Sequence, residues 1–145
     1  MKDLSLAGYR ALAEFRFQIR RFVRFSEEQA RHLGLEPQQH QLLLTIKGLP
    51  PRTIASIGEL ASRLQLKHHS VGELVDRLER RRYVIRSIGP GDRRQVIVRL
   101  TASGSSVLRK LSLAHHEELE KAGPALAQAL RLLMKQARNQ ARSEV

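Results

Sequence analysis

The stretch from residue 57 to residue 100 constrains the fold more than any other part of this chain. Apolar residues recur at helical spacing over 57–64 and again over 68–82, and only Gln65-Leu66-Lys67 lies between them. Two runs rich in β-branched residues follow, 83–88 and 95–100, separated by the turn-forming Gly89-Pro90-Gly91-Asp92. Two short helices joined by about three residues form a helix-turn-helix unit. With the hairpin after it, the segment is predicted to be a winged helix.

Further helices flank this segment on both sides. The pattern predicts a long helix over 4–33, stopped by Gly34, and a second helix that begins at Pro37 and stops at Gly48. A short strand is predicted over 53–56. Thr101 can cap a fifth helix that reaches about Lys121.

Gly123-Pro124 is expected to break the fifth helix. One more helix is predicted after this break, over 125–142. The predicted class is therefore mainly α (α+β): a winged helix-turn-helix with a small hairpin wing between terminal helices. We expect a single domain over 1–145. Within it, 35–101 would form the DNA-binding lobe, and 1–34 and 102–145 would be helices that pack within the chain or across a dimer.

The chain is strongly basic. It has 26 Lys and Arg against 14 Asp and Glu, a difference of +12, which favours a polyanionic partner. Aromatic residues make up 4% and Trp is absent, whereas RNA readers and membrane-surface helices commonly depend on aromatic side chains. Double-stranded DNA needs no aromatic contacts, so it is the expected partner. A merely basic surface is the alternative.

Other functional classes have little support in the sequence. Cys is absent, which excludes disulfides, thiol redox sensing and Cys-ligated zinc. No segment has the 18 to 20 apolar residues that a membrane span requires, so we expect a cytoplasmic protein without a membrane partner. The six His form no His-Glu-x-x-His motif, and no glycine-rich phosphate loop is present. We therefore expect no enzyme activity, no metal and no cofactor. His32 and His40 are interpreted as surface or interface residues rather than pocket residues.

Three groups of residues resemble the MarR family, the multiple-antibiotic-resistance regulators. They are Leu60-Ala61-Ser62-Arg63-Leu64, the helix segment 70–79, and Asp92-Arg93-Arg94 followed by alternating β-branched residues and Leu100-Thr101. The resemblance implies a homodimeric winged-helix repressor or activator whose first and last helices interlock between subunits. It also implies a small, often aromatic, ligand in many members. The apolar residues expected at the dimer interface are Leu12, Phe15, Ile19, Leu126, Leu130 and Leu133.

Two positions depart from the family pattern. Arg82 stands where the family commonly ends the recognition helix with Gly, and Gln65 stands in a turn where Gly is common. A left-handed conformation at Arg82 would cost about 1–2 kcal/mol.

The second helix of the helix-turn-helix is the expected reader of DNA. With Val71, Leu74, Val75 and Leu78 facing the core, the opposite face and the helix start carry the candidate contacts. These are Lys67, His68, His69, Ser70, Gly72, Glu73 and Arg77. Glu73 and Asp76 each precede an arginine by four residues, so we expect them to orient Arg77 and Arg80. Reading of a cytosine by Glu73 and ordinary helix-surface pairing are the alternatives.

The hairpin supplies the remaining candidate contacts. Arg93 and Arg94 lie at its tip, and Arg94 has the length and charge to enter a narrow minor groove. Asp92 is expected to brace an arginine at the tip, and Arg86 is expected to contact phosphate or to pack the hairpin. A two-fold dimer predicts half-sites about 10 base pairs apart. The leading function is thus a sequence-specific transcription regulator. The alternatives are a nonspecific architectural DNA binder and a winged-helix protein-interaction module.

Overall fold

The computed structural model describes residues 3–143. Within that range the elements are five helices and two strands: α1 (Leu6–His32), α2 (Pro37–Lys47), α3 (Ile57–Leu64), α4 (His68–Arg80), β1 (Val84–Ile88), β2 (Val96–Leu100) and α5 (Ala102–Arg142). The predicted class, mainly helical with a two-stranded wing, is confirmed. None of the described helices is long and apolar enough to cross a membrane.

The chain divides into two compact units. One is 29–112, which contains α2, α3, α4 and the hairpin; the other combines 1–28 with 113–145. In the unit 29–112, a core forms because the apolar stripes of three short helices meet the inner face of the hairpin. Its most deeply buried members are Leu35, Leu42, Leu43, Leu60, Val71, Val75, Leu78, Val84, Val98 and Leu111.

The hairpin is antiparallel, with a register that runs from Val84 opposite Leu100 to Ile88 opposite Val96. The short strand predicted over 53–56 is reduced to one isolated bridge between Ser56 and Ile97. Ser56 cannot extend a strand further because it already caps α3, where its side chain accepts a hydrogen bond from the Glu59 N–H.

Two non-glycine residues end the helices of the helix-turn-helix. Gln65 has φ 54° and Arg82 has φ 62°, both in the left-handed region, at the two positions where the sequence departs from the family's glycines. The helix α4 ends at Arg80, two residues before the predicted boundary, because the left-handed Arg82 turns the chain and the Tyr83 N–H bonds to the Leu78 carbonyl.

The predicted break at Gly123-Pro124 is wrong. A single helix, α5, runs from Ala102 to Arg142 with Pro124 inside it. Proline removes one backbone donor, and its ring clashes with the carbonyl of residue i−4 and with the N–H and Cβ of the residue before it. Gly123 has no Cβ, so the helix continues at a lower steric cost.

The prediction for the histidines holds for one of the two. His32 is exposed on α1, whereas His40 is only 2% exposed on α2, so its interpretation as a surface or interface residue is wrong. The helix α2 packs against α3, α4 and β2, and Gln39 and His40 are buried together with Leu42 and Leu43.

The unit formed by 1–28 and 113–145 contains the six predicted dimer residues. Its two helical segments meet where the His115 ring packs edge-on against Phe22 and Phe25 and its Nε2 lies 2.8 Å from the Ser26 hydroxyl. Leu12 and Leu130 are each 42% exposed, and the other four predicted dimer residues are half-buried. This unit therefore keeps apolar surface that its own packing does not cover.

Candidate nucleic-acid interface

The positive charge of the chain is concentrated in the unit 29–112. This unit has 15 Lys and Arg and 6 Asp and Glu, a difference of +9, out of the +12 of the whole chain. A surface that binds DNA must neutralise phosphates. The unit that contains the helix-turn-helix is also the one that carries the positive charge needed for this.

The helix α4 buries one face and leaves the other accessible. Val71, Leu74, Val75 and Leu78 are buried, as the helical spacing predicted. Lys67, His68, His69 and Glu73 are exposed at the start and on the outer face, and Ser70 and Gly72 are half-buried. These candidate contacts therefore lie together on one accessible surface.

Gly72 has open space around it. A Cβ built at this position would meet no atom within 4 Å outside its own helix backbone. Packing within the chain therefore does not explain a glycine in the middle of α4, where it costs about 1 kcal/mol relative to alanine. The open space leaves room for a ligand to approach the backbone closely.

Asp76 and Arg77 of α4 have partners other than the predicted ones. Asp76 pairs with Arg86 at 2.6 Å, and Arg77 pairs with Glu36 at 3.3 Å. Over residues 3–143, Glu73 forms no ion pair with Arg77, and Asp76 forms none with Arg80. The predicted pairing along the helix is therefore wrong, because side chains from the wing and from the start of α2 come within reach of α4.

Arg86 connects the wing to α4 through several hydrogen bonds. Its guanidinium donates to Asp76 Oδ1 at 2.6 Å, to Glu79 Oε1 at 2.9 Å and to the Gly72 carbonyl at 3.3 Å. Its backbone N–H donates to the other carboxylate oxygen of Glu79 at 3.1 Å. These contacts favour the packing alternative for Arg86 over the phosphate contact.

The same network raises the pKa of Arg86. Burial lowers the pKa of the guanidinium, but the hydrogen bonds that it donates to Asp76 and Glu79 and the negative charges of these carboxylates outweigh that effect, and the pKa is raised. Arg86 therefore stays charged and offsets two carboxylates that would otherwise repel a phosphate backbone. The sequence interpretation missed Glu79, although its spacing of three residues from Asp76 places both on one helix face.

The wing tip is built by backbone contacts. The Asp92 carboxylate accepts a hydrogen bond from the Arg94 backbone N–H at 2.9 Å, and the Gln95 N–H donates to the Asp92 carbonyl at 3.1 Å. Asp92 thus stabilises the turn through the backbone of Arg94 rather than through an arginine side chain. Arg93 and Arg94 are exposed, and neither forms an ion pair within the described part of the chain.

The start of α4 and the wing lie close to each other. His68 and Arg94 line one cleft, together with Ser56, Gly58 and Val96. The fold therefore brings candidate contacts that are 26 residues apart in sequence to a common edge of this unit.

Comparison with known proteins finds a family model and two related transcriptional regulators that match this chain. The model of the MarR family matches residues 33–95. The HTH-type transcriptional regulator YkoM of Bacillus subtilis is 30% identical over 121 residues, which cover 81% of this chain and 77% of YkoM. The regulator YcgE of the same organism is 43% identical over 84 residues, and the chain spans about half of its length, 53%.

Solved structures share the fold at lower sequence identity. AbsC, a MarR family transcriptional regulator from Streptomyces coelicolor, superposes with a TM-score of 0.72 at 18% identity, over 96% of this chain and 99% of AbsC. A point mutant of MarR from E. coli, complexed with operator DNA, gives 0.64 at 24% identity over 83% and 88%. A point mutant of MepR from S. aureus, bound to an oligodeoxyribonucleotide, gives 0.64 at 19% identity over 90% and 94%.

Proposed function

Because the chain belongs to the MarR family of transcriptional regulators, we propose that it acts as a homodimer on a pseudo-palindromic operator in double-stranded DNA. The observation that supports this most directly is the common accessible edge formed by the start of α4 and the arginine-tipped wing. We further propose that the protein works in the cytoplasm and catalyses no reaction.

In this proposal α4 enters the major groove. Lys67, His68, His69 and Ser70 lie at its amino-terminal end, where recognition helices of helix-turn-helix proteins contact base edges. Gly72 lets the backbone approach a base edge or a thymine methyl group. Glu73 forms no ion pair within residues 3–143, so its carboxylate is available to accept from a cytosine amino group.

The wing reaches the neighbouring minor groove. Arg94 is exposed and its backbone is held by Asp92, so its side chain can extend into a narrow groove with a strong negative potential. Arg93 beside it is expected to contact phosphate. Arg77 is partly engaged by Glu36 through a half-exposed pair, which a phosphate can displace.

The proposal of a homodimer is based on the apolar surface that remains exposed in the unit of 1–28 and 113–145. Leu12, Phe15 and Ile19 on α1 lose their remaining exposure when a second copy packs there, as do Leu126, Leu130 and Leu133 on α5. A two-fold dimer places its recognition helices about 34 Å apart, which corresponds to half-sites about 10 base pairs apart.

For the small aromatic ligand that the family suggests, we propose the cleft between the α2–α3 loop and β2. Ile46, Leu49 and Ile97 contribute to its apolar walls, Lys47 and Arg99 line it as cations, and it has a volume of about 520 Å³. A thermal-shift screen with small aromatic acids tests this, and Arg99→Gln should abolish any stabilisation that such an acid produces. A shift that survives this substitution would place the ligand elsewhere.

The experiment for the main proposal is selection of bound sites from random duplex DNA, repeated at two salt concentrations. We expect a palindromic motif with half-sites about 10 base pairs apart. Arg94→Ala should weaken binding and reduce the salt slope by about 1, whereas Arg109→Ala, an exposed arginine on α5, serves as the control. Selection without any motif would favour an architectural binder, and no retained DNA would favour a protein-interaction module.

A further inference from the structure

The outer face of α1 carries a row of arginines. Arg16, Arg20 and Arg24 follow one another at steps of four residues, the spacing that forms a ridge along the surface of a helix. All three are exposed, and no Asp or Glu lies between the first and the last of them. We call these three residues the arginine ridge. Arg21 is exposed beside it, with its guanidinium carbon 5.7 Å from the centre of the Phe17 ring.

The arginine ridge points away from the packing of its own unit. Ala11 and Gln18 are buried on α1, and Arg20 is nine and two residues from them, which is about half a turn in each case at 100° per residue. Arg24 is nine residues, again about half a turn, from Phe15 on the expected dimer face. Neither the fold of this unit nor the proposed dimer contact therefore covers the ridge.

The charge of this face is poorly compensated. Arg16, Arg20 and Arg21 form no ion pair within residues 3–143. Arg24 pairs with Glu28 at 3.1 Å, but the two side chains are 83% and 51% exposed, so this pair is weak and a phosphate can displace it. Like charges four residues apart destabilise a helix, so the ridge does not stabilise α1. A partner with several negative charges relieves this repulsion.

We propose that the arginine ridge binds the phosphates of a second DNA duplex, independently of its sequence, while the operator occupies the unit 29–112. The ridge spans eight residues, about 12 Å along the helix axis, and duplex DNA carries one negative charge per about 1.7 Å, so several phosphates lie within its reach. Guanidinium groups also match the geometry of phosphate oxygens. This surface belongs to the other unit, so the inference goes beyond the operator binding proposed above.

Other partners fit this face less well. A protein partner requires an apolar centre in the contact, but the Phe17 ring beside the ridge is already contacted by Arg21. A helix that binds a membrane inserts the apolar face opposite its cations. That face of α1 is buried in its own unit, where Phe22 and Phe25 pack against His115.

The test uses the full-length protein with one equivalent of the selected operator. A labelled duplex of unrelated sequence, about two helical turns long, is then titrated in over a salt series and followed by fluorescence anisotropy. The wild type should bind this second duplex. Arg16→Gln/Arg20→Gln/Arg24→Gln should bind it at least about tenfold more weakly at low salt, with a salt slope reduced by about 2.7, or 0.9 for each lost phosphate contact. Its affinity for the operator should stay as in the wild type.

Two further variants separate the ridge from net charge and from folding. Arg16→Lys/Arg20→Lys/Arg24→Lys keeps the charge and should keep most of the second-duplex binding. Lys121→Gln/Lys135→Gln/Arg138→Gln removes the same charge from exposed positions of α5 in the same unit and should bind the second duplex like the wild type. An equal loss in this control would show that net charge alone acts, and it would overturn the proposal.

The remaining outcomes separate this inference from the proposed function. An operator complex that binds no second duplex, or a ridge variant that binds it as the wild type does, would overturn the second site while operator binding stands. Binding of polyglutamate at the ridge without binding of the duplex would overturn it in favour of an acidic protein partner. A protein that selects no operator would contradict the proposed function instead, and the labelled duplex would still report on the ridge.

Discussion

Replacement of Arg86 by glutamine tests whether this residue positions the wing or contacts DNA. In the wild type its guanidinium makes two charge-assisted hydrogen bonds, 2.6 Å to Asp76 and 2.9 Å to Glu79. The Arg86 side chain is 31% exposed, and the carboxylates are 49% and 41% exposed, so solvent screens both pairs in part. Exposed pairs contribute about 0.2–1 kcal/mol each, and we expect a loss of about 1–2 kcal/mol for the two together.

The effect on DNA binding follows from the same contacts. Without Arg86, two carboxylates of α4 carry uncompensated charge beside the proposed interface, and the wing loses its link to α4. We expect the affinity for the selected operator to fall about tenfold at low salt. Because Arg86 itself contacts no phosphate in this account, the slope of log K against log salt should stay as in the wild type, whereas each lost phosphate contact reduces it by about 0.9.

The assay is fluorescence anisotropy with a labelled operator over a salt series, together with thermal unfolding of each variant. Arg99→Gln is the matched control, because it removes an exposed arginine of the same hairpin that forms no ion pair within residues 3–143. Adding Asp76→Asn and Glu79→Gln to the Arg86→Gln chain should recover part of the lost affinity. A salt slope reduced by about one unit in Arg86→Gln would show a direct phosphate contact and refute the positioning role.

Three further substitutions test the backbone. Gly104→Ala should destabilise the fold by about 2–4 kcal/mol in denaturant unfolding, because the new Cβ would lie 2.0 Å from the Tyr83 carbonyl oxygen. Gly72→Ala, whose new Cβ would have open space around it, is its control and should not lower the stability. Arg82→Gly should raise the free energy of unfolding by about 1 kcal/mol, since the φ of 62° is strained for arginine, and an unchanged value would argue against that strain. Pro124→Ala should raise the helical signal in circular dichroism and the melting temperature, because it restores a backbone donor inside α5; a loss of stability would mean that the helix depends on the proline.

Much of the fold was predictable because it depends on near neighbours in the chain. The apolar spacing over 57–64 and 68–82 predicted both helices of the helix-turn-helix and the four buried residues of α4. The β-branched runs around Gly89-Pro90-Gly91-Asp92 predicted the hairpin to within one residue at the start of each strand. The DNA contacts and the dimer residues remain predictions.

Other features required the arrangement of the elements in space. The continuity of α5 through Pro124 depends on whether the helix can avoid the steric clashes of the proline ring. The burial of His40 depends on which elements pack against α2. A pattern of residue types specifies neither. The clearest example is the choice of partner for Asp76: an arginine four residues away was available, yet the wing supplies Arg86, ten residues further along the chain.

The amino-acid sequence by itself determined the helix-turn-helix, the hairpin, the buried face of α4 and the excess of positive charge, because these depend on residue types at short, regular spacing. The tertiary structure alone decided which charged groups meet, and thereby that Arg86 offsets two carboxylates while Arg93 and Arg94 stay accessible. The physical reason is that an ion pair depends on a distance of a few ångströms between two atoms, and packing sets that distance for residues that lie far apart in sequence.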